Sequence, residues 1–172
     1  MFVALAVSLG GVFLYLQHTE PAWWARLWHP LKYEQIVRGH ARNYRLDAAL
    51  LAAVIEQESK FDATAKSSSG AIGLMQLQPD TAKGIALRTG GARFRVADLY
   101  DPEINVRYGS WYLRHLLSKY GNERTALAAY NAGQRNVDEW LEQGRGITFA
   151  ETRAYVDNVE HLKDLYRKAY GL

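Results

Sequence analysis

The chain predicts an all-α fold on three observations. Apolar residues recur at helical spacing in successive segments, capping residues, prolines and glycines punctuate the ends, and no alternating apolar and polar run competes as a strand. The first segment, MFVALAVSLGGVFLYLQ, carries no charged side chain from Met1 to Gln17 and is followed by Pro21, Trp23, Trp24 and Trp28. Leu31 to Leu46 then shows helical spacing through Tyr33, Val37, Ala41 and Tyr44. Asp47 is a good N-cap for a helix over Ala48 to Ser59, whose residues are nearly all strong helix formers. Phe61 to Leu77 is broken by Ser67, Ser68, Ser69, Gly70 and Gly73 and reads as a loop. Pro79 opens a helix to Thr89, stopped by Gly90 and Gly91, and Asp101-Pro102 opens another that Gly121 ends. Short helices over Ala126 to Asn131 and Val137 to Gln143 flank Gly133. The spacing of Thr148 and Glu151 predicts a capping box for a long terminal helix through Tyr155, Val159, Leu162 and Tyr166.

As a helix the N-terminal run would reach about 24 Å, against roughly 30 Å of bilayer hydrocarbon, with the tryptophans as an interfacial belt. The expectation is a retained signal anchor with a Trp-rich linker over residues 1–30 and a helical domain over 31–172 beyond the cytoplasmic membrane. One feature opposes that placement. Arg26, Lys32 and Arg38 follow the run and none precedes it, which by the positive-inside rule would put the domain in the cytoplasm.

With 172 residues, 48% hydrophobic, the chain suits one domain plus an appendage. A net charge of +3 from scattered Lys and Arg argues against nucleic acid and suits an anionic polymer. Without cysteine there is no disulfide, thiolate metal site or nucleophilic thiol. His40, His115 and His161 lack metal-ligand spacing, so neither a metal nor another cofactor is expected.

LLAAVIEQESKFD, from Leu51, places Glu56, Glu58 and Asp62 at the end of an oily helix. At 100° per residue, Glu58 falls on the stripe of Leu51, Val54 and Ile55, while Glu56 points away over Ala52. Apolar surroundings and the negative end of the helix dipole both raise a carboxyl pKa, which is how a glutamate stays protonated as a general acid near neutral pH. The helix alone leaves a second reading open, a carboxylate that reaches past Val54 to water or pairs with an arginine.

Further blocks narrow the choice. Glu58-Ser59, GAIGLMQLQPDTA from Gly70, LYDPEINVRYGSWYL from Leu99, AAYNAG from Ala128 and ETRAYVDNV from Glu151 together resemble, in order, the lytic transglycosylase (SLT) family, whose fold is similar to goose-type lysozyme. The resemblance implies cleavage of the β-1,4 bond between N-acetylmuramic acid and N-acetylglucosamine in peptidoglycan. The muramic acid's own 6-hydroxyl attacks its anomeric carbon and leaves a 1,6-anhydro end. Ordinary glycoside hydrolysis uses two carboxylates; with the nucleophile on the substrate, Glu58 alone can serve as acid and then base.

The resemblance also implies that Ser59, Gly73, Leu74, Met75, Gln76, Tyr130, Asn131 and Tyr155 bind the glycan, with the Tyr130 phenol orienting the Glu58 carboxyl. Each has a plainer reading: Ser59 as a helix end, Gly70 and Gly73 as turn glycines, Met75 and Tyr130 as core, Gln76 as a surface amide, Asn131 as a helix stop, Tyr155 as helix packing. A lysozyme-like hydrolase would need a second acid, for which Asp62, Asp98 and Asp101 are the candidates. An inactive wall-binding module would need no proton donor in an apolar setting.

Overall fold

The computed structural model describes residues 2–172 and, within the first helix, the side chains of residues 10, 11 and 13–19. The described residues form nine α-helices in order: α1 (Phe2–Thr19), α2 (Ala22–Trp28), α3 (Glu34–Tyr44), α4 (Ala48–Ser59), α5 (Pro79–Thr89), α6 (Pro102–Tyr120), α7 (Glu123–Ala132), α8 (Gln134–Glu142) and α9 (Ala150–Tyr170), with a 3-10 turn at Val96–Tyr100. Among the described residues no strand forms. The α4–α5 loop holds two isolated antiparallel bridges, Lys66 to Ile72 and Ile72 to Leu77.

Local signals set most ends. Asp47 accepts from the amides of Ala49 at 2.9 Å and Leu50 at 3.4 Å, Asp101 caps α6 through the Ile104 amide, and Asn122 caps α7 through that of Thr125. The expected capping box of α9 does not form. Phe149 is the N-cap without a side-chain bond, and the Thr148 hydroxyl donates to the Gly146 carbonyl instead.

The core is built around α4, which packs chiefly against α9 and also against α3. Ala49 through Glu56 are all buried, so α4 is enclosed on every side. Full burial of Leu50, Leu51, Val54 and Ile55 contributes about 1.5–3 kcal/mol each. This corrects the facial argument for Glu56: it does not point out over an exposed face but is 9% exposed and accepts from His29 Nδ1 at 3.1 Å.

The membrane-anchor expectation is overturned. Among the described residues no helix is long and apolar enough to cross a membrane. α1 has 18 residues, about 27 Å, and Gln17, His18 and Thr19 make its last turn polar, so its apolar part falls short of the roughly 30 Å required. Single-pass placement in the cytoplasmic membrane falls with it.

The segment read as a Trp-rich linker is instead α2, docked on α9. Ala25 packs with Leu165 and Ala169, Arg26 donates to the Ala169 carbonyl at 2.7 Å, and the Tyr170 hydroxyl donates to the His29 carbonyl at 3.0 Å.

Candidate active site

Glu58 lies in the last turn of α4, and the chain leaves that helix sharply. Lys60 and Phe61 both adopt left-handed φ values, 52° and 59°, a conformation costing about 1–2 kcal/mol per non-glycine residue. Packing sustains it: Phe61 is buried with its ring 6.1 Å from that of Tyr166 on α9. The bend brings the α4–α5 loop back across the helix end, where the Ser59 hydroxyl meets the Ile55 and Leu74 carbonyls at 3.2 and 2.8 Å. Ser59 therefore closes its helix and ties the loop to it.

The Gly73–Gln76 turn rests on an amide that the sequence reading passed over. Asn105 of α6 is completely buried. Its Nδ2 donates to the carbonyls of Ile72 (2.9 Å) and Leu99 (2.8 Å), and its Oδ1 accepts from the Met75 amide at 2.8 Å. Gly73, at φ +78°, has to be glycine for this packing, because a Cβ there would collide with the Asn105 amide and the Leu99 carbonyl. The missing side chain makes room for protein.

Leu74 and Met75 have no exposed surface, and Met75 fills the space that Gly109 leaves on α6. Gln76, at φ 45°, donates from Nε2 to the carbonyls of Gly73 (2.9 Å) and Ala65 (3.2 Å) and keeps Oε1 as an acceptor. The signal for Asn105 was present: an amide four residues before Gly109 on the buried face of a helix implies a satisfied internal network.

The partner of Glu58 is Tyr155. Its hydroxyl donates to Glu58 Oε1 at 2.6 Å across 97 positions of sequence. The phenol expected there, Tyr130, donates instead to the Met75 carbonyl at 2.8 Å, so it braces the loop. Its ring sits 5.5 Å from that of Tyr112. Burial raises the pKa of both tyrosines well above 10, with the nearby Glu58 charge adding to it, so both remain protonated donors. Asn131 is exposed, and its Oδ1 accepts from the buried Thr152 hydroxyl at 2.8 Å.

Glu58 keeps only part of its surface open to solvent, and the dense protein around it strips the charged form of hydration. That desolvation raises its pKa from 4.5 to about 7, against the smaller opposing effect of the Tyr155 bond. The group is thus divided between acid and base near neutrality, which suits a proton that must be given and then recovered.

The other carboxylates weighed as a second acid are engaged locally. Asp62 accepts from the Thr64 amide and hydroxyl, which lower its pKa, Asp98 accepts from the Arg95 amide, and Asp101 caps α6.

The domain is thus helical throughout, with one desolvated glutamate at the end of its central helix, held by a tyrosine from the last helix. The profile of the Transglycosylase SLT domain family matches residues 35–151, and the chain belongs to that family. It is 34% identical over 154 residues to a soluble lytic murein transglycosylase of Salmonella typhimurium, an alignment covering 83% of this chain and 24% of that protein.

Among solved structures, the inactive glutamate-to-glutamine mutant of the lytic transglycosylase Slt from Pseudomonas aeruginosa superposes with a TM-score of 0.78 at 33% identity, over 85% of this chain and 25% of that one. The 70 kDa soluble lytic transglycosylase of Escherichia coli gives 0.78 at 32%, over 84% and 25%. The chain spans about a quarter of the length of these relatives.

Proposed function

We propose that the protein is a peptidoglycan lytic transglycosylase, cleaving the β-1,4 bond between N-acetylmuramic acid and N-acetylglucosamine with Glu58 as its single acid and base. Protonated Glu58 delivers its proton to the glycosidic oxygen as the bond to the muramic anomeric carbon breaks. The resulting carboxylate then takes the proton of the muramic 6-hydroxyl, whose oxygen closes on that carbon to give the 1,6-anhydro ring. Both proton transfers balance within one carboxyl group, and no water is consumed.

The observation that carries this reading is the hydrogen bond from Tyr155 to a desolvated Glu58, at 2.6 Å, while Asp62, Asp98 and Asp101 are committed to turns and caps. Loss of activity on glutamate-to-glutamine replacement in the Pseudomonas relative supports it. Glycan contacts fall to Gln76 through its free Oε1, to the exposed Asn131, and to Ser59 and Tyr155 beside the acid. Gly73, Leu74, Met75 and Tyr130 contribute by holding the Gly73–Gln76 turn in place beside the acid.

Mass spectrometry of fragments released from purified peptidoglycan by the full chain tests the proposal. Anhydro-muramic ends, one water lighter than reducing ends, are expected. Reducing ends as the main product would make the protein a hydrolase, and no release would leave a wall-binding module.

A further inference from the structure

A cavity of about 350 Å³ opens between α7, α8, the α8–α9 loop and the first turn of α9, at the small end of the roughly 300–1,000 Å³ usual for ligand pockets. Its floor is apolar: Ala128, Val137 and Trp140 are buried and Ile147 is half-buried. Phe149 meets the Trp140 ring edge-on, with centroids 4.8 Å apart, and holds it in place. No side chain assigned to Glu58 chemistry or to glycan contact lines this cavity.

Its rim is cationic. Arg124, Arg145 and Arg153 line it, and none of its wall residues is acidic. Arg124 is already paired with Asp157 and Glu160. Arg153 donates from Nη1 to the Ile147 and Thr148 carbonyls, at 2.7 and 2.8 Å, which fixes the loop. Arg145 is exposed, and among the described residues its guanidinium meets neither a carboxylate nor a carbonyl. The loop adds donors of its own. Arg145 to Phe149 form no regular structure, and the amides of Gly146 and Ile147 have no backbone acceptor among the described residues.

These features select a ligand class. An inorganic anion would use the guanidinium groups and leave the apolar floor in water, while a neutral apolar group would leave Arg145 and the two amides unused. A carboxylate and an apolar side chain have to arrive together, and the last residue of a polypeptide carries both on one Cα. Arginine meets a carboxylate through two parallel N–H donors, and free backbone amides are a recurring partner of a chain end. The floor suits a side chain of leucine or phenylalanine size, and an alanine methyl would leave most of it empty.

We propose that this cavity is a docking site for the carboxy-terminal tail of a partner protein, one that ends in a large apolar residue. The side chain lies on Val137 and Trp140, and the terminal carboxylate bonds Arg145 and the Gly146 and Ile147 amides. The site gives the domain an attachment point whose lining is distinct from the surroundings of Glu58.

The test is fluorescence anisotropy of amino-terminally labelled Gly-Ser hexapeptides ending in Leu or Phe, as free acids and as amides, with the full chain and with Arg145→Ala. The free acids should bind the wild type roughly tenfold more tightly than the amides, the worth of a charge-assisted hydrogen bond. Arg145→Ala should remove most of that difference while turnover of peptidoglycan stays unchanged. Arg145 is exposed in a loop, so its loss leaves the core intact. A free acid ending in Ala should bind as weakly as the amides. Equal binding of acid and amide, equal binding of Leu and Ala ends, or no binding of any peptide overturns the proposal. Tighter binding of a peptide ending in D-Ala-D-Ala would assign the cavity to wall peptides and overturn the protein tail. An inactive Arg145→Ala would place Arg145 in the catalytic machinery and overturn the separation of the two sites.

Discussion

Glu58→Gln should do two things with different pH signatures, and together they isolate the carboxyl group. Desolvation raises the Glu58 pKa from 4.5 to about 7, so ionising it in the folded chain costs more than in the unfolded one. A raised acid stabilises the fold fully below its unfolded pKa and loses that contribution as pH rises through its folded pKa. At pH 4 both states hold the proton and the nearly isosteric amide changes little. Between pH 4.5 and 7 the wild type loses stability that the variant keeps. At 1.36 kcal/mol per unit, the gap by pH 8 is about 3 kcal/mol in favour of Glu58→Gln, or roughly 6–12 °C in Tm for a chain of this size.

Activity moves the other way at every pH, because the amide has no proton to give; the loss should be at least roughly 10²-fold. Thermal unfolding of both proteins at pH 4, 6 and 8, with turnover on purified peptidoglycan, reads both effects. Unfolding temperatures that stay parallel across pH would show that Glu58 titrates normally and refute its assignment as a desolvated acid.

Tyr155→Phe removes the donor that holds the Glu58 pKa down, so the alkaline limb of the pH–rate profile should move to higher pH while kcat falls; an unmoved limb would leave Tyr155 as packing alone. Gly73→Ala should cost at least roughly 2 kcal/mol, from a left-handed φ and the collision with Asn105, measured by urea unfolding. Tyr130→Phe leaves the Met75 carbonyl without its donor and should cost about 1–3 kcal/mol in stability, with lower turnover as the loop loosens. Glu56→Gln keeps an acceptor for His29 and should retain activity, so an inactive but folded Glu56→Gln would move the acid to the wrong residue.

Much of the helical framework was legible because its signals act within a turn or two. Asp47 capping α4, Pro79 opening α5 and Gly121 ending α6 are local contests over backbone hydrogen bonds, and residues within four positions settle them. Thr148 shows the limit: the capping-box spacing was right, yet its hydroxyl turned to the Gly146 carbonyl and the helix began one residue later.

The enclosure of α4 was illegible for another reason. Periodicity reports a contrast between faces, and a helix buried all round has none, so the outward placement of Glu56 had no physical basis once His29, the residue that ends α2, met its carboxylate. Apolar composition misled in the same way at the N-terminus, where it described a membrane span and the chain formed a helix too short for one.

The sequence by itself determined the helical class, the family blocks and the position of Glu58 at the end of an apolar helix. Only the tertiary structure decided which phenol reaches that carboxyl, that Asn105 holds the neighbouring turn, and that Gly73 makes room for an amide. The sequence pointed to Tyr130 as that partner, whereas the structure uses Tyr155, and each lies more than 70 positions from Glu58. The choice between them depends on how α7 and α9 pack around α4. Such contacts, like the burial that sets the acidity of Glu58, are properties of the assembled core, where distant segments exclude water together and no short stretch of chain encodes the result.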